Sequence, residues 1–153
     1  MNKATGGGRP LRISAALILV ALLGLAGCSK WWSESGPVGL SAPESATYAA
    51  SAGSLEIPVK IKNQSQEEIS SAKDFFVSYH LLGANDAMVR YDTIRTPLPA
   101  IAPGQEVTVS MVVMRPEEPG VYHLSVDVVQ ENVAWMAQKG TKPVQIKLLV
   151  QER

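Results

Sequence analysis

Only a few side chains in this sequence have the chemical types that catalysis or ligand binding usually requires. The chain contains two histidines, His80 and His123, and one cysteine, Cys28. An enzyme would need a nucleophile with its base, a pair of carboxylates or a cluster of metal ligands. The sequence presents no such set, so we expect a non-catalytic protein with no cofactor and no resident metal ion.

The two histidines are predicted to share one face of a β-sheet. Side chains alternate between the two faces of a strand, so His123 lies on the same side as Ser125 and Asp127. If the strand of His80 is its neighbour, as in an immunoglobulin-type topology, all four residues form one exposed face. That face could bind a metal ion weakly or contact sugar hydroxyls. The alternative is a solvated sheet face without function, and a register slip of one residue would bury the histidines.

Two further candidate contacts lie between the last two predicted strands, where loops of sandwich proteins commonly carry function. They are Glu131 and Trp135, and the flat apolar face of Trp135 is of the kind on which sugars stack. The alternative is that Trp135 is a partly buried lid over the end of the core. Arg90, Asp92 and Arg95 form a charged cluster, for which surface ion pairing worth about 0–1 kcal/mol is the simplest interpretation.

Cys28 follows a segment with the composition of an export signal. The first 12 residues carry three basic side chains and no acidic one, and residues 13–25 are apolar apart from one serine and a glycine. This apolar run is shorter than the roughly 20 residues that a permanent membrane-spanning helix needs, and small residues follow it. The sequence therefore predicts a cleaved signal peptide over residues 1–27.

The last residues of this signal, Leu25-Ala26-Gly27-Cys28, resemble the lipobox of bacterial lipoproteins. The resemblance implies that a diacylglyceryl group is attached to the sulfur of Cys28 and that the chain is cleaved just before it. Each buried acyl CH₂ contributes about 0.8 kcal/mol, so several acyl chains would hold the protein on its membrane. The alternative, an ordinary export signal, would leave an unpaired thiol in an exported protein. Ser29, rather than an aspartate, implies the outer membrane of a Gram-negative bacterium, with the periplasmic face of the inner membrane as the alternative.

The part of the chain after the signal is slightly acidic. All 14 acidic residues lie there, whereas three of the 14 basic residues precede Cys28. No run of Lys or Arg follows, so we expect no nucleic-acid partner. Residues 28–53, rich in Ser, Ala, Gly and Pro, are predicted to form a flexible tether that includes a possible first strand. Trp31 and Trp32 within it either lie at the lipid headgroups or dock on the domain.

Residues 54–153 are predicted to form one domain made of β-strands. Several segments alternate apolar and polar residues with a period of two, and turn signals separate them. These segments are Leu55–Ile61, Phe75–Leu81, Val107–Val113, Tyr122–Val128 and Val144–Val150. They predict an all-β, antiparallel sandwich of about seven strands, of immunoglobulin or fibronectin III type. Pro58 indicates an edge position, Asn63-Gln64-Ser65 a turn, and Tyr122 a tyrosine corner.

A series of short motifs in the second half gives a more specific resemblance. The motifs are Arg95-Thr96-Pro97-Leu98-Pro99, Ala102-Pro103-Gly104-Gln105, Pro119-Gly120-Val121-Tyr122-His123-Leu124, Asp127-Val128-Val129-Gln130-Glu131, Trp135 and Gly140. They resemble the Ig-like module appended to bacterial cell-surface polysaccharide enzymes, including glycosyltransferases and methyltransferases. The resemblance implies binding or spacing and no reaction. Asn132 stands where the pattern has glycine, and Met136 where it has an aromatic residue.

Taken together, these features lead us to expect a membrane-anchored, non-catalytic envelope lipoprotein. Its Ig-like domain is expected to bind a cell-envelope component, either a polysaccharide or a protein. The alternative is a structural or assembly factor that tethers a protein complex at the outer membrane.

Overall fold

The structure is a computed structural model, and it describes residues 36–152. The predicted signal peptide, Cys28 and the Trp31-Trp32 pair lie outside the described residues. The described part consists of ten strands and two short 3₁₀ helices. The strands are β1 (Val38–Ser41), β2 (Ser45–Tyr48), β3 (Leu55–Asn63), β4 (Phe75–Gly83), β5 (Met88–Arg90), β6 (Thr96–Pro97), β7 (Glu106–Val113), β8 (Gly120–Gln130), β9 (Ala134–Trp135) and β10 (Val144–Val150), and the 3₁₀ helices are Ser71–Lys73 and Met136–Lys139.

The strands form two sheets. The smaller sheet has the order β1-β3-β7, and the larger has the order β2-β10-β8-β4-β5, with β6 paired to β4 and β9 paired to β8. All pairings are antiparallel except that of β2 with β10. The predicted immunoglobulin-like β-sandwich is confirmed. Seven of the ten described strands have at least four residues, and β5, β6 and β9 are additions of two or three residues.

The core lies between the sheets, where the alternating sequence pattern places it. β3 buries Ile57, Val59 and Ile61, while Pro58 and Lys60 between them are exposed. Full burial of each such branched side chain stabilises the fold by about 1.5–3 kcal/mol. The larger sheet contributes buried side chains from β4, β8 and β10: Val77, Tyr79, Leu124, Val126, Ile146 and Leu148.

The first two strands lie within residues 28–53, the segment expected to be a tether with a possible first strand. β1 pairs with β3 in the smaller sheet, and β2 pairs with β10 in the larger one. The chain therefore crosses from one sheet to the other between Ser41 and Ser45. Val38 and Tyr48 are both buried in the core. The sandwich consequently begins ten positions after Cys28 rather than at residue 54.

The N-terminal end of the sandwich is hydrogen-bonded to Thr141, in the segment that leads into β10. The Val38 N–H donates to Thr141 Oγ1 at 3.3 Å, and the Thr141 hydroxyl donates to the Val38 carbonyl at 3.1 Å. Gly36 approaches the same place with a φ of +92°, and a Cβ atom there would lie 2.1 Å from the Thr141 nitrogen. Only glycine fits this approach, because both the left-handed backbone and the lack of space exclude a side chain.

Two local predictions from the sequence are confirmed. Tyr122 forms a tyrosine corner, since its hydroxyl donates to the Glu118 carbonyl at 3.0 Å. The Asn63-Gln64-Ser65 segment is a turn, in which the Ser65 N–H donates to Asn63 Oδ1 at 2.9 Å. Pro58 needs a finer description: β3 is the middle strand of its sheet, but β1 pairs only with residues 60–63 of it. Pro58 therefore lies where β3 has β7 on one side alone.

Within residues 36–152, the structure contains no helix with the length and hydrophobicity that a membrane span requires.

Candidate functional site

The outer face of the larger sheet brings together the four residues predicted to share a face. β4 and β8 are neighbours, with His80 opposite Ser125 and Leu82 opposite His123. Asp127 follows two positions after Ser125, so its side chain points to the same side of the sheet. The predicted register is therefore correct, and both histidines lie outside the core. What covers this face differs from one end to the other.

One end of the outer face is covered by residues 91–95, which connect β5 to β6 and which we call the strap. Ser78 on β4 fixes the strap, because its hydroxyl donates to the Ile94 carbonyl at 2.8 Å and contacts Thr93 Oγ1 at 3.0 Å. The Thr93 hydroxyl also donates to the carbonyl of Tyr79. Ser78 is fully buried as a result. The strap therefore covers the outer side of β4 over the stretch between its pairings with β5 and β6.

Asp127 is buried, and its predicted exposure is wrong. Only 1% of the residue is accessible, because the 3₁₀ helix Met136–Lys139 packs beside it. Its two carboxylate oxygens accept the N–H groups of Val128 and Ala137, both at 2.7 Å. Burial raises the pKa of Asp127, while these two hydrogen bonds and the nearby His80 act to lower it. Asp127 therefore holds the chain after β9 in place instead of presenting a carboxylate to a ligand.

Three aromatic rings are in contact across the covered end of the face: Tyr91 stacks on His80, and His80 lies against Trp135 at an interplanar angle of 49°. The ring of Tyr91 lies 4.4 Å from that of His80 with an interplanar angle of 24°, and the His80 ring lies 4.2 Å from that of Trp135. His80 Nδ1 lies 2.6 Å from the Tyr91 carbonyl oxygen, and this hydrogen bond requires a proton on Nδ1. His80 is thereby held in the middle of the stack. We call these three rings the aromatic stack.

Arg95 connects the strap to the rest of the outer face. Its Nη1 donates to Ser78 Oγ at 3.0 Å, its Nη2 pairs with Asp92 Oδ1 at 3.1 Å, and its Nε donates to Glu131. The guanidinium also lies 5.0 Å from the centre of the Trp135 ring. Partial burial lowers the pKa of Arg95, but the hydrogen bonds and charges of Glu131 and Asp92 outweigh it and raise that pKa. Arg95 therefore remains a cation that binds the strap.

The candidate loop contacts have structural partners. Glu131 pairs with Arg95, and Trp135 is only 8% exposed because His80 and Arg95 cover it. The hypothesis that Trp135 is an exposed surface for sugar stacking is therefore wrong. Trp135 is a buried side chain, as the alternative predicted, but it lies on the outer face of the sheet rather than over the end of the core. The exposed aromatic residue is Tyr91, at 51%. The sequence marked Tyr91 only by its position within the charged cluster of Arg90, Asp92 and Arg95.

The other end of the outer face is open. His123 Nδ1 pairs with Asp86 Oδ1 at 2.8 Å, and Ser125 Oγ accepts from the Gln145 side chain at 2.9 Å. Among residues 36–152, no three His, Cys, Asp or Glu side chains are grouped so that they could hold a metal ion. The hypothesis of a weak metal site on this face therefore finds no ligand set.

A separate cleft of about 640 Å³ lies at the end of the sandwich opposite the N-terminal end. It is lined by Arg115, Pro116, Glu117, Pro119, Gln151 and Glu152. Arg115 donates to the carbonyls of Ala49 and Gln151 and lies over the ring of Tyr48, 5.1 Å from its centre. Its guanidinium therefore joins the residues that follow β2 and β10 at this cleft.

No protein-family model matches this chain, and no curated protein sequence matches it. Among solved structures, it is similar to the CARDB domain of a Pyrococcus furiosus protein determined by NMR, with 15% sequence identity, a TM-score of 0.46, and coverage of 78% of this chain and 96% of that domain. A crystal structure of that domain in complex with di-metal ions has 16% identity, a TM-score of 0.43, and coverage of 76% and 92%. The ASH/PapD-like domain 7 of human CEP192 has 12% identity, a TM-score of 0.37, and coverage of 78% and 87%. At such identities, nothing about ligands passes from these domains to this chain.

Proposed function

We propose that this chain is a lipid-anchored, non-catalytic binding module of a bacterial cell envelope. Its Ig-like sandwich would bind an envelope component, either a polysaccharide or a protein. The observation that carries the proposal is the order of segments in the sequence. An export-type segment ends in the lipobox-like Leu25-Ala26-Gly27-Cys28, and an immunoglobulin-like sandwich follows almost immediately.

The distance between the proposed lipid and the sandwich is short. Val38 in β1 follows Cys28 by ten positions. Ten fully extended residues span at most about 33–36 Å, so a lipidated Cys28 would keep the N-terminal end of the sandwich within that distance of the membrane. That end is hydrogen-bonded to Thr141, just before β10.

The positions of the polar side chains support binding rather than a reaction. His80 is held within the aromatic stack, and Asp127 accepts two backbone N–H groups. Both groups are therefore engaged in positioning the strap and the chain after β9. A general base would need to reach a substrate proton instead. What the outer face offers to a ligand is an exposed aromatic ring with charged neighbours.

The resemblance to modules of cell-surface polysaccharide enzymes favours a polysaccharide as the first ligand to test. The replacement of the pattern's glycine by Asn132 keeps the backbone conformation that glycine would adopt. Asn132 has a φ of +58°, in the left-handed region where glycine is favoured and asparagine is tolerated. Met136 stands in place of an aromatic residue and is buried in the core.

Ser29 makes the outer membrane the proposed location, with the periplasmic face of the inner membrane as the alternative.

The lipid is tested by intact-mass analysis of the protein extracted from membranes. The expected product begins at Cys28 and carries added acyl mass. The full-length Cys28→Ala variant should lack that mass and leave the membrane fraction. An unmodified, soluble product from the unaltered chain would refute lipid anchoring.

Binding is tested by retention of the detergent-extracted lipoprotein on immobilised envelope polysaccharide and, separately, on solubilised envelope proteins. Retention by polysaccharide is the expected result. Retention by proteins alone would exclude the polysaccharide and favour the alternative, a factor that tethers a protein complex. Retention by neither would refute a binding module.

A further inference from the structure

We propose that Tyr91 is a contact surface for a pyranose ring of an envelope polysaccharide. The inference rests on the proposed function and names the binding surface and the ligand class. It is carried by the geometry of the aromatic stack and by the charged residues beside it.

The ring of Tyr91 is exposed on one side and supported on the other. One face lies against His80 at 4.4 Å and nearly parallel to it, and the residue remains 51% exposed. Its outward face is therefore a flat apolar surface. Below it, His80 contacts the buried Trp135, and the Tyr91 and Trp135 rings are 6.2 Å apart. The exposed ring thus rests on two others that are anchored to the sheet.

The backbone below Tyr91 is also fixed before any ligand arrives. The Tyr91 carbonyl accepts a hydrogen bond from His80, and the following residues of the strap are bound through Thr93 and Arg95. Ordering a mobile side chain on binding costs conformational entropy, and a supported ring has largely lost that freedom already. A rigid aromatic residue on an anchored loop is an efficient contact for this reason.

The charged neighbours favour a sugar over an apolar partner. Arg90 and Asp92 flank Tyr91 directly in the sequence; Arg90 is exposed, and the Asp92 side chain is 74% exposed. A flat apolar surface bordered by a few polar groups matches the alternating C–H faces and hydroxyl edges of a pyranose. Met88 and Val89 on β5 are exposed as well and would suit a protein partner instead. The experiment separates these two occupants.

The test is saturation-transfer difference NMR on the full-length lipoprotein in zwitterionic detergent micelles, which carry no sugar headgroup. The probes are cellotetraose, chitotetraose and oligosaccharides released from envelope polysaccharide by mild acid. We expect transfer from the protein mainly to the C–H protons on one face of a sugar ring. Tyr91→Phe should retain this transfer within about twofold, whereas Tyr91→Ala should weaken binding by about tenfold or more, as truncation of a central aromatic contact does.

A matched control is Met114→Ala, which removes another exposed apolar side chain, 46% accessible, directly after β7 of the smaller sheet. It should leave the transfer unchanged. Thermal melting checks that Tyr91→Ala is folded, and Tyr91→Leu, which keeps apolar volume but has no flat face, should also lose the transfer. Equal transfer in Tyr91→Ala, or none from any probe with the unaltered chain, would overturn the inference.

The outcomes also separate this inference from the proposed function. If the unaltered chain and Tyr91→Ala are retained equally on envelope polysaccharide, the proposed function stands and the Tyr91 surface is refuted. If Tyr91→Ala loses only retention on envelope proteins, the sugar is refuted and the strap is a protein-docking surface. If the unaltered chain is retained on neither material, the proposed function itself fails.

Discussion

Replacing Asn63 with aspartate should destabilise the sandwich strongly at neutral pH and much less in acid. The Asn63 side chain is completely buried at the end of β3. Its Nδ2 donates to the carbonyls of Glu67 and Ile101, both at 2.7 Å, and its Oδ1 accepts from the N–H and hydroxyl of Ser65 at 2.9 and 2.7 Å. The amide therefore joins the β3–β4 loop to the chain before β7. In Asn63→Asp, a carboxylate oxygen replaces the NH₂ group.

The expected cost follows from the lost donors. The Ile101 carbonyl keeps the Ile69 N–H and the Glu67 carbonyl keeps the Ser65 hydroxyl, but each loses its second donor, at about 0.5–1.5 kcal/mol apiece. A buried negative charge now faces both carbonyls as well, and this adds the larger part of the cost. Asn63→Asp should therefore cost about 3–5 kcal/mol near neutral pH. Asn63→Ala removes the same bonds without the charge and should cost about 2–4 kcal/mol. Because burial and the facing carbonyls raise the pKa of the new carboxyl in the folded state, part of the lost stability should return as the pH falls toward about 4.

The assay is urea unfolding followed by tryptophan fluorescence, near pH 7 and near pH 4, on the unaltered and variant proteins. Gln64→Ala is the control, since Gln64 is the exposed neighbour in the same turn, and it should change stability by no more than about 0.5 kcal/mol. A loss below about 1 kcal/mol for Asn63→Asp at neutral pH would refute this account of the amide. The account would also be refuted if the loss of stability in Asn63→Asp, compared with that in Asn63→Ala, were as large near pH 4 as near pH 7.

Three further substitutions test other parts of the structure by the same unfolding assay. Tyr122→Phe removes the hydrogen bond to the Glu118 carbonyl and should cost about 0.5–1.5 kcal/mol; unchanged stability would mean that the tyrosine corner contributes nothing. Gly36→Ala should cost about 2–4 kcal/mol, because it combines a positive φ with a backbone clash, whereas Gly53→Ala has open space and should cost at most about 1 kcal/mol. Asp127 has a raised pKa in the folded state, so its contribution to stability is largest below its ordinary pKa of 3.8 and is lost as the pH rises through the folded value. Asp127→Asn should abolish that component of the pH dependence, and an unchanged pH profile would contradict it.

The long strands were predictable because each has enough residues to show its period. β3, β4, β7, β8 and β10 have seven to eleven residues and match the alternating segments of the sequence. The other five strands have two to four residues, too few for alternation to stand out from chance. β1 and β2 were hidden for a second reason: they lie in a Ser-, Ala- and Gly-rich segment whose composition is typical of a linker.

The outer face was predictable in register but not in burial. Alternation placed His80 and Asp127 outside the core, and the pairing of β4 with β8 agrees. Alternation identifies the side of the sheet to which a residue points, but it carries no information about what covers that side. The strap and the 3₁₀ helix after β9 come from elsewhere in the chain, and they bury Ser78 and Asp127. For the same reason, the sequence left open whether Trp135 is a stacking surface or a partly buried lid, and it did not single out Tyr91, which the structure exposes.

The buried polar groups on this face explain why one aromatic ring remains outside. Ser78 binds the strap from below, and Arg95 binds it to Glu131 from the side. Asp127 holds the chain that carries Trp135, on which the stack rests. Burying so many polar groups is favourable only because nearly all of their hydrogen bonds are satisfied within the network, and a satisfied network is rigid. The outer face therefore uses its polar residues to fix a loop and leaves Tyr91, flanked by charges, as the rigid surface that a sugar ring can contact.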